Sequence, residues 1–222
     1  NFIMKLKNFA SLLLAGVMAI SMLAGCSTAN NGGDDTNGVK PPVDDVTPAS
    51  YSQTILDGTS SDTKSIMTAK DSDMLTAAVV AAGESVNEFD DIHDLIKVGA
   101  HSLNALAYHY GKDNTCNRML DGFGDNLAED VELVSGGLEA NDLLNYNDRD
   151  AALYVCDTSM NDTQINNAIS SQVNTIMKGL RDHINATDID YTLSVAKVQV
   201  GTRANGVILV GIMVETVGTH AA

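Results

Sequence analysis

The spacing of apolar residues changes about two thirds of the way along the chain. In "DSDMLTAAVVAAGES" a run of good helix formers follows capping residues at 71–73, which predicts a helix. In "EFDDIHDLIKVGAHSLNALAYHYG" the residues Phe89, Ile92, Ile96, Leu103, Leu106, Ala107 and Tyr110 recur in steps of three and four. That is the mark of one buried helical stripe, and Gly111 offers a stop. Shorter helices are expected around residues 126–135, ended by Gly136 and Gly137, and around residues 138–146.

Beyond residue 150 strands enter. "AALYVC" (151–156) reads as a short buried strand. "NDTQINNAISSQVNTIMKGLRDHI" follows, with Asn161 or Asp162 as cap and Ile165, Ile169, Val173, Ile176, Leu180 and Ile184 on one face. Two apolar runs, "DIDYTLSVAKVQVGT" and "GVILVGIMVETV", are joined through "RANG", and Asn-Gly between such runs signals a hairpin because both residues tolerate positive φ. In the first run Tyr191, Leu193 and Val195 keep one phase, then Ala196, Val198 and Val200 the other, which suggests a bulge or bend. The second run is apolar on both faces, as a central, doubly covered strand is. A right-handed crossover through the helix makes the strand at 151–156 parallel to the first hairpin strand. The expected fold is therefore α+β. Helices from the N-terminal half and a strand-helix-hairpin unit would form a small three-stranded antiparallel sheet with helices packed on it.

The first fifty residues read differently. Lys5 and Lys7 precede the apolar run "FASLLLAGVMAISMLAG", no acid occurs before Asp34, and small residues lead directly to Cys26. This is the plan of a signal peptide, and the run is marginal for a membrane span of about 20 residues. All three prolines, Pro41, Pro42 and Pro48, fall in the polar segment 27–50, whose composition predicts a disordered tether spanning roughly 25 to 30 Å. The domain reading is thus 1–25 signal peptide, 26–50 cysteine and tether, and 51–222 one globular domain. "LAGC" resembles the lipobox of bacterial lipoproteins. That resemblance implies a diacylglyceryl group on the Cys26 sulfur, a mature chain beginning at Cys26, and anchoring at the extracytoplasmic face of the bacterial cell membrane.

Charge narrows the partners. Residues 1–25 hold two of the 13 basic side chains and none of the 29 acidic ones, so the chain from Cys26 carries 11 against 29, or −18. Such a balance excludes nucleic acid, whose phosphates need basic patches, and gives no electrostatic hold on anionic lipid. The membrane is then a partner through the lipid alone, with a protein or cell-envelope partner unidentified. Cys116 and Cys156 form no Cys-x-x-Cys pair; either a disulfide or two buried thiols fits their spacing.

Candidate chemistry is sparse. His93, His101 and His109 are spaced by eight, a rise of about 12 Å along a helix, too far for two of them to share a metal ion. Asp90 with His93 or Asp94 could meet at helical spacing, although acids at a helix start suit the dipole without any ligand. "DGFGDN" and "NYNDRDA" lack the alternating order of a calcium loop, and His183 suits a helix C-terminus. No phosphate loop, serine nucleophile elbow or His-Glu-x-x-His occurs, and no cofactor, metal or catalytic residue is expected.

Two further resemblances concern the domain. "DAALYVCDTSMNDTQINNAISSQVNTIM", "DIDYTLSVAKVQV" and "GVILVGIMVETV" resemble the C-terminal half of small uncharacterised lipoproteins of anaerobic Gram-positive bacteria, which implies no activity. "AHSLNALAYHYG", "GDNLA" and "GLRDHINATDIDYT" follow the order of motifs in the CAP (cysteine-rich secretory protein) superfamily. That alternative implies a metal or small-ligand cavity with Asp125 in place of the family's Glu, His183 as its second His, and His109 as the nearest match to its first. Ile184 stands where the family has Arg. The CAP reading requires Asp125 and His183 to converge, whereas a plain binding or structural module, the favoured reading, does not.

Overall fold

The computed structural model describes residues 49–86, 92, 96, 99–110, 115–134, 149–183 and 189–218. The chain divides into Asn1–Pro48 and Ala49–Ala222, and the elements below belong to the second unit. Among the described residues these are α1 (Tyr51–Asp57), α2 (Ser61–Lys64), β1 (Met67–Ala69), α3 (Asp73–Glu84), β2 (Ala100–Ser102) and α4 (Leu103–Tyr110). They continue with α5 (Thr115–Gly124), β3 (Val131–Leu133), β4 (Arg149–Asp157), α6 (Asp162–His183), β5 (Ile189–Gly201) and β6 (Gly206–Gly218).

The fold is α+β, but the expected three-stranded antiparallel sheet is overturned: among the described residues the sheet has six strands and is mixed. Its order is β1-β5-β6-β4-β2, with β3 also on β4. β6 lies between β5 and β4 and is antiparallel to both. Three strands of three residues each complete the sheet: β1 runs parallel to β5, while β2 (antiparallel) and β3 (parallel) sit end to end along the outer edge of β4. Strands this short carry no readable alternation; distant partners create them.

Both faces of this sheet are covered. Ala152, Tyr154 and Cys156 of β4, Tyr191, Leu193 and Val195 of β5, and Ile208, Val210, Ile212 and Val214 of β6 bury against α1 and α6. The opposite phase, Ala151, Leu153 and Val155, then Ala196, then Val207, Leu209 and Met213, buries against α3, α4 and α5. This arrangement accounts for the phase switch in β5. The pairing of β5 with β6 is unbroken from Ile189↔Gly218 to Gly201↔Gly206, so there is no bulge there. The first half of β5 is apolar toward one helical layer and the second half toward the other.

The helices form where capping and spacing agree. Ser72 accepts a hydrogen bond from Leu75 N (3.2 Å), and α3 buries Leu75, Ala78, Val79 and Ala82, its i, i+3, i+4, i+7 face. Asn161 and Gln164 form a reciprocal capping box, each side-chain oxygen accepting from the other's backbone N–H at 2.9 Å, and α6 buries Ile165, Ile169, Val173, Ile176 and Met177.

Elsewhere the expected helices give way. The stripe of residues 88–111 is not one helix: Gly99 takes φ +93°, Ala100–Ser102 is strand β2, and only Leu103–Tyr110 is helical at its end. Around residues 126–135 the chain leaves α5 through a turn and enters β3. The helix expected at 138–146 lies outside the described residues. In the β5–β6 hairpin the positive φ belongs to Gly201 (+76°) and the loop is Thr202 to Asn205. Gly206 is needed for a different reason: a Cβ there would run into the carbonyl oxygens of Val200 and Thr202.

Candidate functional site

The core-facing phase of β5 runs Tyr191, Leu193, Val195 and then Lys197, so a cation follows three buried apolar side chains on one face. Lys197 is only 17% exposed at its side chain. Its ammonium pairs with Asp162 Oδ1 at 2.7 Å in the first turn of α6 and lies 4.9 Å from the ring centroid of Tyr51, the first residue of α1. The Tyr51 hydroxyl donates to Asn166 Oδ1 at 3.0 Å. One cation thus fastens α1, α6 and β5 together. A cation–π contact of this kind contributes about 0.5–1 kcal/mol, and a pair whose carboxylate is mostly in water contributes no more.

Cys156 lies on the same face of β4 and is fully buried. Burial pushes its thiol up to about 12, against the opposing pull of the Lys197 charge. Burial likewise holds the Tyr51 phenol well above its ordinary value, with further repulsion from Cys156 and Asp162. At neutral pH the thiolate fraction of Cys156 is on the order of one in 10⁵, so the thiol is inert as a nucleophile. Tyr51 keeps its proton as well, and Lys197 is matched by Asp162. The cluster positions helices and supplies no general base.

Next to it, a serine stands in for a strand. The N–H of Val195 donates to Ser52 Oγ at 2.9 Å, and the Ser52 hydroxyl in turn donates to Asp71 Oδ1 at 2.6 Å. Ser52 is fully buried in α1, and its backbone N–H also reaches Asp71 Oδ1 (3.1 Å). At the far end of the same sheet face, Asp150, Tyr191 and Thr216 are buried polar residues, with Tyr191 and Thr216 directly paired across β5 and β6.

Among the described residues, those singled out from sequence lie on separate elements. Asp125 is exposed in the turn after α5, on the α3–α4–α5 side of the sheet, and α4, which contains His109, packs on that side too. α6, which ends at His183, packs on the other side. The sheet therefore lies between the elements that the CAP-like cavity needs to converge, and among the described residues no group of three His, Cys, Asp or Glu could hold a metal ion. His101 is on strand β2, opposite Val155, and not on a helix. "DGFGDN" is a helix end, with Gly122 and Gly124 inside α5. Asp90, His93 and Asp94 lie outside the described residues, as does Cys26. Cys116 and Cys156 are buried thiols in opposite cores, so the sheet separates them and they form no disulfide. Sequence reasoning missed Lys197 and Ser52. The signal for Lys197 was present, a lysine continuing an apolar phase; Ser52 carried none.

Comparison with protein-family models, with curated proteins and with solved structures found no match.

Proposed function

We propose that the chain is a lipoprotein held through Cys26 at the extracytoplasmic face of a bacterial membrane, and that its folded unit is a binding module rather than an enzyme. The observation that carries the reading is the boundary of the fold. The second unit begins at Ala49, and α1 is capped there by Ser50, whose Oγ accepts from Gln53 N at 3.0 Å. A polar, proline-bearing stretch thus separates Cys26 from α1 along the sequence. Among the described residues no helix is long and apolar enough to cross a membrane, so in this reading attachment rests on the lipid. The inert thiol of Cys156 and the Asp162-paired ammonium of Lys197 favour binding over catalysis.

Expression of the full chain in a Gram-positive host with radiolabelled palmitate tests the anchor. Wild type takes up label and sediments with membranes, whereas Cys26→Ala takes up none and accumulates at precursor size. Label retained in Cys26→Ala, or an unlabelled wild type, overturns it.

A further inference from the structure

Among the described residues, the outer edge of β5 is covered over only half its length. Its odd-numbered residues turn their N–H and C=O away from β6. Tyr191 N donates to Ile66 O (2.9 Å), Leu193 O accepts from Lys70 N (2.9 Å), and Val195 N donates to Ser52 Oγ (2.9 Å). The far end of the hairpin fixes the same alternation, because Thr202 and Asn205 exchange backbone hydrogen bonds at 3.2 Å and so even-numbered residues face β6. Lys197 and Gln199 therefore present outward N–H and C=O groups beyond the last residue of β1 and beyond Ser52. Among the described residues these groups have no hydrogen-bond partner. Gln199 is exposed, and Lys197, Val198 and Val200 are half-buried.

We infer that this edge takes an extended peptide segment in which apolar and basic side chains alternate. Donor–acceptor pairs repeating every second residue match the backbone of another extended chain, and strand addition at a sheet edge is an established mode of peptide recognition. The pairs would fix the backbone, and the flanking side chains would choose the sequence. On the α3 side Val198 and Val200 stand half-buried at two-residue spacing, and the close approach of Gly83 to Val200 sets the helix end beside them. An incoming strand would lay alternate side chains against these valines, where apolar groups fit. Its other side chains face solvent near Lys197, whose charge Asp162 already neutralises.

The sign of those outer side chains follows from the unit's net charge. Residues 49–222 together carry twenty-five acidic and ten basic side chains, a field that draws a cationic segment and repels a second copy of this chain. The opposite edge of the sheet is already occupied by β2 and β3. The inference gives the binding-module reading a ligand class. It uses none of the residues of the Cys26 assay, so either can fail without the other.

The probe is an acetylated, amidated peptide of three Val-Lys repeats, titrated onto the full chain in detergent while amide hydrogen exchange is followed. At saturation, exchange at Lys197 and Gln199 slows at least tenfold. Gln199→Pro removes one outward N–H at a position where an edge strand tolerates proline, and it weakens binding at least tenfold with the melting temperature held. The same peptide N-methylated on alternate residues tests the bonds from the ligand's side without touching the fold. One methylation phase abolishes binding and the other leaves it. No binding of the probe, equal binding to wild type and Gln199→Pro, or binding by both methylated peptides overturns the inference. So does a dimer of the chain alone that Gln199→Pro dissolves, which would make a second copy the occupant.

Discussion

Gly211 sits in the middle of the central strand where α3 crosses it, and the crossing depends on the missing side chain. A Cβ at this position would stand 2.5 Å from Val79 Cγ2, 3.2 Å from Leu75 Cδ1 and 3.4 Å from Phe123 Cε2. Val79, Leu75 and Phe123 are all fully buried. Carbon atoms rest about 3.5–4 Å apart, so Val79 has to retreat by roughly 1 Å into an interior that has no slack. Overpacking of this kind costs about 1–3 kcal/mol. The lower entropy of alanine in the unfolded chain offsets about 0.4–1 kcal/mol of that. Gly211→Ala is therefore expected to destabilise by about 1–2 kcal/mol, a fall in Tm of roughly 2–8 °C for a chain of this size. Val79→Ala alone removes two buried methyl groups and costs about 1.5–3 kcal/mol. In the double variant the new methyl enters the space the old ones left, so its cost falls short of the sum by at least about 1 kcal/mol. Urea unfolding of the four proteins measures the cycle. Costs that add within about 0.5 kcal/mol, or a Gly211→Ala protein as stable as wild type, would refute the close-approach account.

Two further predictions concern groups on the other face. Ser52→Ala leaves the buried N–H of Val195 without its acceptor and should cost about 1–3 kcal/mol, with faster amide exchange at Val195; a change under about 0.5 kcal/mol would show that the hydroxyl is not holding the edge. Cys156 sets an alkaline limit on stability. Its thiol ionises near 9.0 in the unfolded chain and near 12 in the fold. Between these values the folded state keeps a proton that the unfolded state releases, so stability is constant below about pH 9 on this account and falls above it. The slope reaches about 1.4 kcal/mol per pH unit, and Cys156→Ala removes it. Urea midpoints at pH 8 and 10.5 test this, and equal slopes in the two proteins would count against it.

The long elements were legible because each buries one stripe or one continuous run. The 3.6-residue spacing from Ile165 to Ile176 gives α6, the uninterrupted apolar residues 151–156 give β4, and the doubly apolar 207–214 marks β6 as central. What escaped was set by partners far away in sequence. Ala100–Ser102 falls inside a stretch of helical spacing, yet it pairs with residues 154–156 of β4, and Gly99 just before it takes φ +93°. Val131–Leu133 and Met67–Ala69 are likewise strands only because β4 and β5 have open edges beside them. The phase switch at Ala196 was visible but ambiguous. Opposed hydrophobic phases within one strand describe either a bulge or a sheet covered on both faces, and the helices decide between them. Of the candidate site, the two cysteines could not be assigned to opposite cores until β4 and α5 were placed.

The central strand has a consequence for how this protein can diverge. Val207, Leu209 and Met213 belong to one core, Ile208, Val210, Ile212 and Val214 to the other, and Gly211 admits α3. A surface strand can drift at every second position, but here every one of eight consecutive residues answers to a packed neighbour. The helices can exchange their solvent-facing halves and the short edge strands can come and go with little effect on either core. In any lineage sharing this fold, the run "VILVGIMV" is then the slowest clock, and the glycine within it should change only together with Val79.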